Sequence, residues 1–395
     1  MCNHLKKNVF VECLILVLLL SFMLSFITVA GSPEVGTIVV SNDYSTIQEA
    51  IDNASEGDTV FVKSGTYYNQ TIVITKSISL VGEDPKTTII KGKTGVLFPY
   101  TSIVIYLKAN DVKISGFTVI SPTAQVFCIY GSGNRTIVEN NLLNSGRSAI
   151  ELTGNNNNVK NNNLTRYTIL CFGSNNTISG NRINSAGGIQ VEGAFNSIYS
   201  NHLAFSAIMV TGDNNIINNN FITEGNTGIS LKFCSGNSVF ENSITGMWFR
   251  GILLHESSNN LLYDNYIVNN IGNEGQRNGY GILVTGSLQG VENNTIYRNT
   301  FLNNSYTIGL EKSYVNNHWD NGVQGNYWDD YNGTDTDEDG IGDTPHILDA
   351  NNQDNFPVMD YSSIPEFPCW FILPMCIALM LTVVTIKNRL LSKIT

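Results

Sequence analysis

The sequence predicts an all-β fold, a solenoid of the parallel β-helix type, and two ladders of residues predict it. An asparagine recurs at Asn140, Asn162, Asn181, Asn201, Asn219, Asn242, Asn265 and Asn299. Each has an apolar residue three places before it, as at Ile137, Val159, Ile216 and Ile296, and another two places after it, as at Leu142, Leu164, Phe221 and Phe301. The second ladder is Ile150, Ile169, Ile189, Ile208, Ile229, Ile252, Ile282 and Ile308, followed two residues on by Leu152, Cys171, Val191, Val210, Leu231, Leu254, Val284 and Leu310. A repeat of mostly 18 to 23 residues is too short for a helical pair and fits one coil of stacked strands. Apolar residues two apart describe short strands with one buried face, and each coil buries that face against its neighbours. Asparagine suits the turns because it tolerates positive φ and can hydrogen-bond to its counterpart on the next coil. Leucine-rich repeats share the length range, but their Leu-x-x-Leu-x-Leu pattern is missing.

The elements follow in chain order. Residues 1–30 have the form of a secretory signal: Lys6 and Lys7, an apolar run from Val9 to Phe26, then the small-residue stretch Thr28-Val29-Ala30. An uncleaved signal anchor is the alternative. Residues 31–107 form the N-terminal cap and first coils. There Ser45-Thr46-Ile47-Gln48 has capping-box spacing, and Ile47, Ala50, Ile51 and Ala54 place an apolar stripe on a helix of about ten residues that covers the first coil. Strands are expected over Asp58–Val62, Thr71–Thr75, Ser77–Val81 and Thr87–Ile90. The repeats occupy 108–318, and Trp319 to Tyr331 opens a C-terminal cap over 319–362. In the last segment, 363–395, Phe367 to Ile386 is uncharged and long enough to span a bilayer. Lys387, Arg389 and Lys393 follow at once, which places the tail inside and the solenoid outside the cell.

Charge agrees with that placement. The formal net charge is −11; outside residues 31–366 stand Lys6, Lys7, Lys387, Arg389 and Lys393 against Glu12 alone, so residues 31–366 are more acidic still. Such a surface disfavours nucleic acid and anionic lipid. Asn-x-Ser/Thr sequons stand at Asn53, Asn69, Asn134, Asn163, Asn175, Asn293, Asn303 and Asn332. Of the cysteines, Cys128, Cys171 and Cys234 fall in the solenoid. The ladders put the first two two coils apart, roughly 10 Å, too far for a disulfide, and Cys171 falls on an inward row.

Four stretches carry a family resemblance. Asp43 to Ile51, Gly57 to Val62 and Gly65-Thr66-Tyr67 look like the opening of pectin-lyase-like right-handed β-helix proteins. The Asn-ladder coils resemble the parallel β-helix repeats of the NosD-type, carbohydrate-binding/sugar-hydrolysis superfamily. Gly325-Asn326-Tyr327-Trp328-Asp329-Asp330-Tyr331, with Asp335 to Asp343, resembles the end of NosD-like surface proteins. Pro365-Glu366-Phe367-Pro368 is similar to a C-terminal anchoring signal of archaeal exported proteins. The resemblance implies a right-handed parallel β-helix, but it leaves activity open because this architecture hosts lyases, hydrolases, adhesins and scaffolds.

Three sets of residues are candidates for chemistry. Asp335, Asp337, Asp339 and Asp343 occupy positions 1, 3, 5 and 9 of a calcium-type loop, with Gly340 at the turn and the Ile341 carbonyl at position 7. Position 12 is His346 rather than a bidentate Glu, so the loop is nearer the Asp-rich turns of extracellular modules; the plain alternative is a solvated acidic loop. One residue before the ladder asparagines stand Glu139, Asn161, Gly180, Ser200, Asn218, Glu241, Asp264 and Arg298. Glu241, Asp264 and Arg298 therefore stack outside the solenoid, either as a catalytic acid/base group or as a solvated ion-pair ladder. Lys232 and His255 share a column, with Trp248 and Arg250 at the preceding turn. This suits sugar stacking and hydrogen bonding, unless Trp248 and Phe249 only seal a corner; the polar insertion from Asn270 to Gly279 could wall a groove there. The NosD resemblance raises copper, but His202, His255, His318 and His346 are scattered over the coils, so no copper is expected. The expected function is binding of extracellular carbohydrate or another surface polymer. A polysaccharide lyase or glycoside hydrolase, and a structural or adhesive envelope protein, are the alternatives.

Overall fold

A computed structural model describes residues 35–93, 103–123, 126–272, 278–286, 291–311 and 315–360. The signal segment, the apolar stretch from Phe367 to Ile386 and the centre of the Asn270–Gly279 insertion lie outside the described residues. Among the described residues no helix is long and apolar enough to cross a membrane.

Most coils contribute three short strands, and every coil lies parallel to its neighbours. The first sheet has 13 strands, from Thr37–Val40 to Val315–His318. The other two faces join into a 21-stranded sheet because Leu142–Thr153 and Asn163–Phe172 run through the corner that elsewhere separates two strands. The result is a parallel β-solenoid of the right-handed type, the hand that parallel crossovers almost always take. The isoleucine ladder stacks without slippage: Ile150, Ile169, Ile189, Ile208, Ile229, Ile252 and Ile282 pair in register, and each is fully buried. Alternation then turns the intervening residues outward.

The asparagine ladder is one residue out at two coils. The buried members are Asn141 and Asn220, not Asn140 and Asn219. Accordingly Val138, Leu143, Ile217 and Ile222 point inward, whereas Ile216 is 43% exposed. Both coils carry doubled residues (Ile137-Val138, Asn140-Asn141, Ile216-Ile217, Asn219-Asn220), so the apolar pattern fits either register. Hydrogen bonding selects one. Asn201 donates its N–H and Nδ2 to Asn220 Oδ1 at 3.1 and 3.0 Å, and Asn220 donates both in turn to Asn242 Oδ1. Asn219 instead takes the left-handed backbone, φ 53°. A second ladder, unpredicted, runs along another corner through Asn157, Asn176, Asn196, Asn215, Asn237, Asn260, Asn294 and Asn317.

Both ends are closed. Helix α1 (Ile47–Asn53) buries Ile47, Ala50 and Ile51 against the first coils. Its capping box is Thr46 with Glu49, one residue later than the spacing suggested, and it has seven residues because Ala54 turns extended. At the other end Trp319 and Trp328 are buried, and Trp328 stacks on Phe301 at 4.7 Å between centroids. Both asparagine ladders stop in one short segment. Asn317 N donates to Asn352 Oδ1, and Asn326 N and Trp328 Nε1 donate to Asp354 Oδ2 at 2.7 and 2.8 Å. Gly325 must lack a side chain, since a Cβ there would overlap the Asp354 carboxylate. Cys128, Cys171 and Cys234 are buried, Cys128 Sγ lies 3.4 Å from the Val119 carbonyl oxygen, and burial pushes the Cys171 thiol up to about 12.

Candidate functional site

Each residue before a first-ladder asparagine lies in the left-handed region, which fixes the corner between the first and second faces. Glu241, Asp264 and Arg298 occupy this row at φ 52°, 54° and 54°. Glu139 and Asn218 do not belong to it; with the corrected register Asn140 and Asn219 take their places, and Glu139 pairs instead with Lys113 and Lys160 at 2.8 and 3.0 Å. Arg298 Nε lies 2.9 Å from Asp264 Oδ1. Burial raises the Asp264 carboxyl above its usual value against the pull of Arg298. Glu241 accepts from Asn219 Nδ2 at 2.7 Å. Beside the row Phe240, Tyr263 and Tyr297 stack on one another, with interplanar angles of 8° and 11°, so both faces of Tyr263 are already covered. The row is an outside corner of partnered charges, whereas general acid–base chemistry calls for convergence in a concave site.

The third face differs. Lys232 pairs in register with His255, and Thr227, Arg250, Tyr280 and Tyr306 form a second column along the coils. Between the columns Ser230, Leu253 and Leu283, then Gly309, align in register, the first three buried beneath their neighbours. A Cβ on Gly309 would stand 2.7 Å from both Leu283 Cδ1 and Tyr280 Cε1, so ring and aliphatic chain converge on that glycine. Arg250 Nε donates to Thr227 Oγ1 at 3.0 Å, and its guanidinium carbon lies 4.4 Å from the Phe249 ring centre. Tyr280 and Tyr306 follow at 5.3 Å, and Tyr306 is 55% exposed. Trp248, 38% exposed, stands at the turn before Arg250. Phe233, 66% exposed at φ 53°, meets His255 edge-on. Lys232, Trp248, Arg250 and His255 are thus on one face of adjacent coils. Thr227, Tyr280 and Tyr306 were missed, although each stands two residues before a ladder isoleucine, as Arg250 does.

In the Asp-rich loop, Asp335, Asp337 and Asp339 bring carboxylate oxygens within 4.8 Å of one another. The Asp335 carboxylate also accepts from Asp339 N and Gly340 N at 3.1 and 2.9 Å, which folds the turn. Asp343 is not part of this group. Its carboxylate accepts from the Thr336 hydroxyl and N–H and from Thr334, bonds that hold it below the usual carboxylate range. The Ile341 N–H donates to Asp339 Oδ1.

A parallel β-helix with a polar, aromatic outer face defines the class of the chain, and comparison with known proteins defines its family. The family model described as periplasmic copper-binding protein (NosD) matches residues 51–273 and 174–333. The chain belongs to this NosD family. It is 30% identical over 343 residues to a cell surface glycoprotein of Methanothermus fervidus, a match covering 79% of this chain and 56% of the relative. The chain therefore spans little more than half the length of that curated relative. Among solved structures it is similar to the Dettilon tailspike protein (TM-score 0.54, 14% identity, 74% of this chain and 66% of that one). It is also similar to the polygalacturonase of Erwinia carotovora ssp. carotovora (TM-score 0.46, 12% identity, 72% and 98%). At such identities the likeness concerns the fold.

The family description speaks of copper, and the described residues do not fit a copper site. The group of potential ligands that converges among them is Asp335, Asp337 and Asp339, all hard oxygen donors. Cys171 and Cys234 are buried thiols whose pKa burial raises, and His346 stacks on Trp328 in the C-terminal cap.

Proposed function

We propose that this chain is a surface-held β-helix that binds carbohydrate or another surface polymer along its third face, with the solenoid outside the cell and the Phe367–Ile386 segment as its anchor. One observation carries the proposal: the column Arg250, Tyr280, Tyr306, flanked by Trp248, repeats a ring or a planar cation on successive coils. Parallel strands repeat at about 4.8 Å, so a linear polymer lying along the axis meets one such group per coil. Aromatic faces pack on the C–H faces of sugar rings, and Arg, Lys and Thr supply hydrogen bonds at the edges. The cell-surface relative supports the same placement. The test is retention of the full-length protein on a panel of immobilised glycans, beside Trp248→Ala and Tyr306→Ala. Each substitution is expected to weaken binding roughly 5- to 30-fold, the effect of losing 1–2 kcal/mol, without changing the melting temperature. Unchanged retention in both variants, or no glycan retained by the wild type, removes the proposal.

We also propose calcium at Asp335, Asp337 and Asp339. Three hard carboxylates crowded at one turn suit that cation, and the Ile341 carbonyl is a further oxygen within the same loop. Its role is structural.

A further inference from the structure

The closure at the C-terminal end stops short of the third face. That face begins at Ile72–Ile74, which pairs with Ile103–Leu107, and ends at Tyr306–Glu311. Its first strand is capped. Gln48 of helix α1 donates Nε2 to the Val73 carbonyl at 3.1 Å and accepts from Val73 N at 2.8 Å, so a side-chain amide stands where a further strand would pair. The last strand has no such cap: Tyr306–Glu311 pairs with Tyr280–Thr285 along one edge, and among the described residues no strand pairs along the other. The inward rows are open there too. Ile282 and Val284 are fully buried, whereas Ile308 and Leu310, next in the same rows, are only half-buried.

The gap is a cleft of about 770 Å³ between this strand and the His346–Asp349 segment. Ile308, Leu310 and Leu348 line it and pack on the end of the core, and the exposed Asp329, Asp330 and Asp349 line it as well. No lysine or arginine is among its described lining residues, and burial holds His346 below its usual pKa, so the cleft is anionic. An unpaired edge beside open apolar rows is a template for another strand. A strand added there satisfies the backbone groups of the edge and covers both rows with side chains two residues apart.

We propose that the cleft docks an extended basic segment of another protein, added as a strand to Tyr306–Glu311, with two apolar residues on Ile308 and Leu310 and flanking Lys or Arg beside Asp329, Asp330 and Asp349. Charge selects this occupant. A second copy in tail-to-tail contact would bring two sets of carboxylates together, and a head-to-tail stack would meet the edge that Gln48 already occupies. The site lies beyond the carbohydrate-binding reading and does not depend on it.

The experiment follows a fluorescent peptide, Lys-Arg-Val-Thr-Val-Arg-Lys, by anisotropy as the full-length protein is added. Altered peptides carry Ser for both Val, Glu for every Lys and Arg, or backbone N-methyl groups on the Val nitrogens or on the Thr and Arg nitrogens. The protein variants are Asp330→Asn and Asp330→Lys, each with its melting temperature recorded. The expected result is binding that weakens at higher salt and is lost with the Glu peptide. The Ser peptide binds more weakly. Successive residues of a strand turn their N–H groups to opposite edges, so one N-methylated peptide loses roughly 10-fold and the other binds unchanged. Asp330→Lys weakens binding roughly 3- to 10-fold, the effect of turning one exposed attraction into repulsion, and Asp330→Asn less. No binding by the wild type overturns the inference. Indifference to both N-methylated peptides leaves only charge attraction and overturns it as well. Unchanged binding to a folded Asp330→Lys variant places the peptide elsewhere. A dimer in sedimentation that the peptide does not dissociate makes a second copy the occupant, which also overturns it.

Discussion

Asn219 and Asn220 are chain neighbours with opposite environments, and the difference is worth several kcal/mol. Asn220 is fully buried; it accepts two hydrogen bonds from Asn201 and donates Nδ2 to the Ile198 carbonyl at 2.9 Å. Replacing it by alanine strands two donors and at least one acceptor in the interior, each costing about 1–3 kcal/mol. Asn219 sits outside at positive φ, where glycine is at ease. Asn219→Gly is therefore expected to change stability by less than about 1 kcal/mol, and Asn220→Ala to lower it by at least ~3 kcal/mol, as read from urea unfolding. The reverse order of damage would mean that the ladder runs through Asn219. The same pair shows what was legible at this scale. The repeat, the corner and its asparagine were visible in the sequence, but at doubled positions such as Ile216-Ile217 the apolar pattern tolerates two registers. Only the coil-to-coil hydrogen bonds distinguish them. The second ladder, Asn157 to Asn317, escaped notice because it stands among so many other asparagines.

At the scale of elements, the two caps were legible to different degrees. Helix α1 announces itself by its stripe Ile47, Ala50, Ile51 and by a capping residue, displaced by one because Ser45 and Thr46 are both competent caps; Glu49 settles the choice in favour of Thr46. At the C-terminal end the tryptophans were visible, but Asp354 was not, since it lies in a two-residue strand with no repeat to mark it. Asp354 terminates the first ladder, and burial pushes its carboxyl up to about 6 despite the bonds from Asn326, Trp328 and Phe356. That value lies above the roughly 3.9 of an unfolded aspartate. As pH rises the unfolded chain loses this proton first, so the group's contribution to stability is fully present below about 4 and is lost as pH passes through about 6. Asp354→Asn removes the titration. The stability of the wild type relative to this variant is expected to fall by up to about 3 kcal/mol between pH 4 and pH 7, followed by the fluorescence of Trp319 and Trp328 during unfolding. A difference independent of pH would show that Asp354 is ionised in the folded cap throughout. The candidate face was legible only in part. Lys232, Trp248, Arg250 and His255 follow from the ladders, whereas Tyr280 and Tyr306 become relevant only once the strands align them with Arg250.

At the scale of the whole molecule, a solenoid is held together coil by coil, so its ends decide whether it frays. The C-terminal closure is tied to the Asp-rich loop by backbone bonds: Gly342 N donates to the Pro357 carbonyl at 2.8 Å, and Met359 N to the Gly340 carbonyl at 2.9 Å. Between them Val358 N donates to the Asn326 carbonyl of the last ladder coil at 2.9 Å. Whatever orders the loop therefore clamps the final coil. Without a cation, the carboxylates of Asp335, Asp337 and Asp339 repel one another at the turn; with one, that repulsion becomes coordination. Extracellular sites of this type bind calcium at roughly 10⁻⁴–10⁻³ M. Binding to the folded state alone then adds about 1.4–2.7 kcal/mol at 10 mM calcium. The expected outcome is a melting temperature of the full-length protein that climbs with calcium and falls back on chelation. An Asp337→Ala, Asp339→Ala double variant is expected to lose the shift. Asp343→Ala is expected to keep most of it, because Asp343 is held by Thr334 and Thr336 outside the carboxylate group. Equal shifts in the wild type and the double variant, or a shift that disappears with Asp343 alone, would place the cation elsewhere and leave the three carboxylates as a solvated turn.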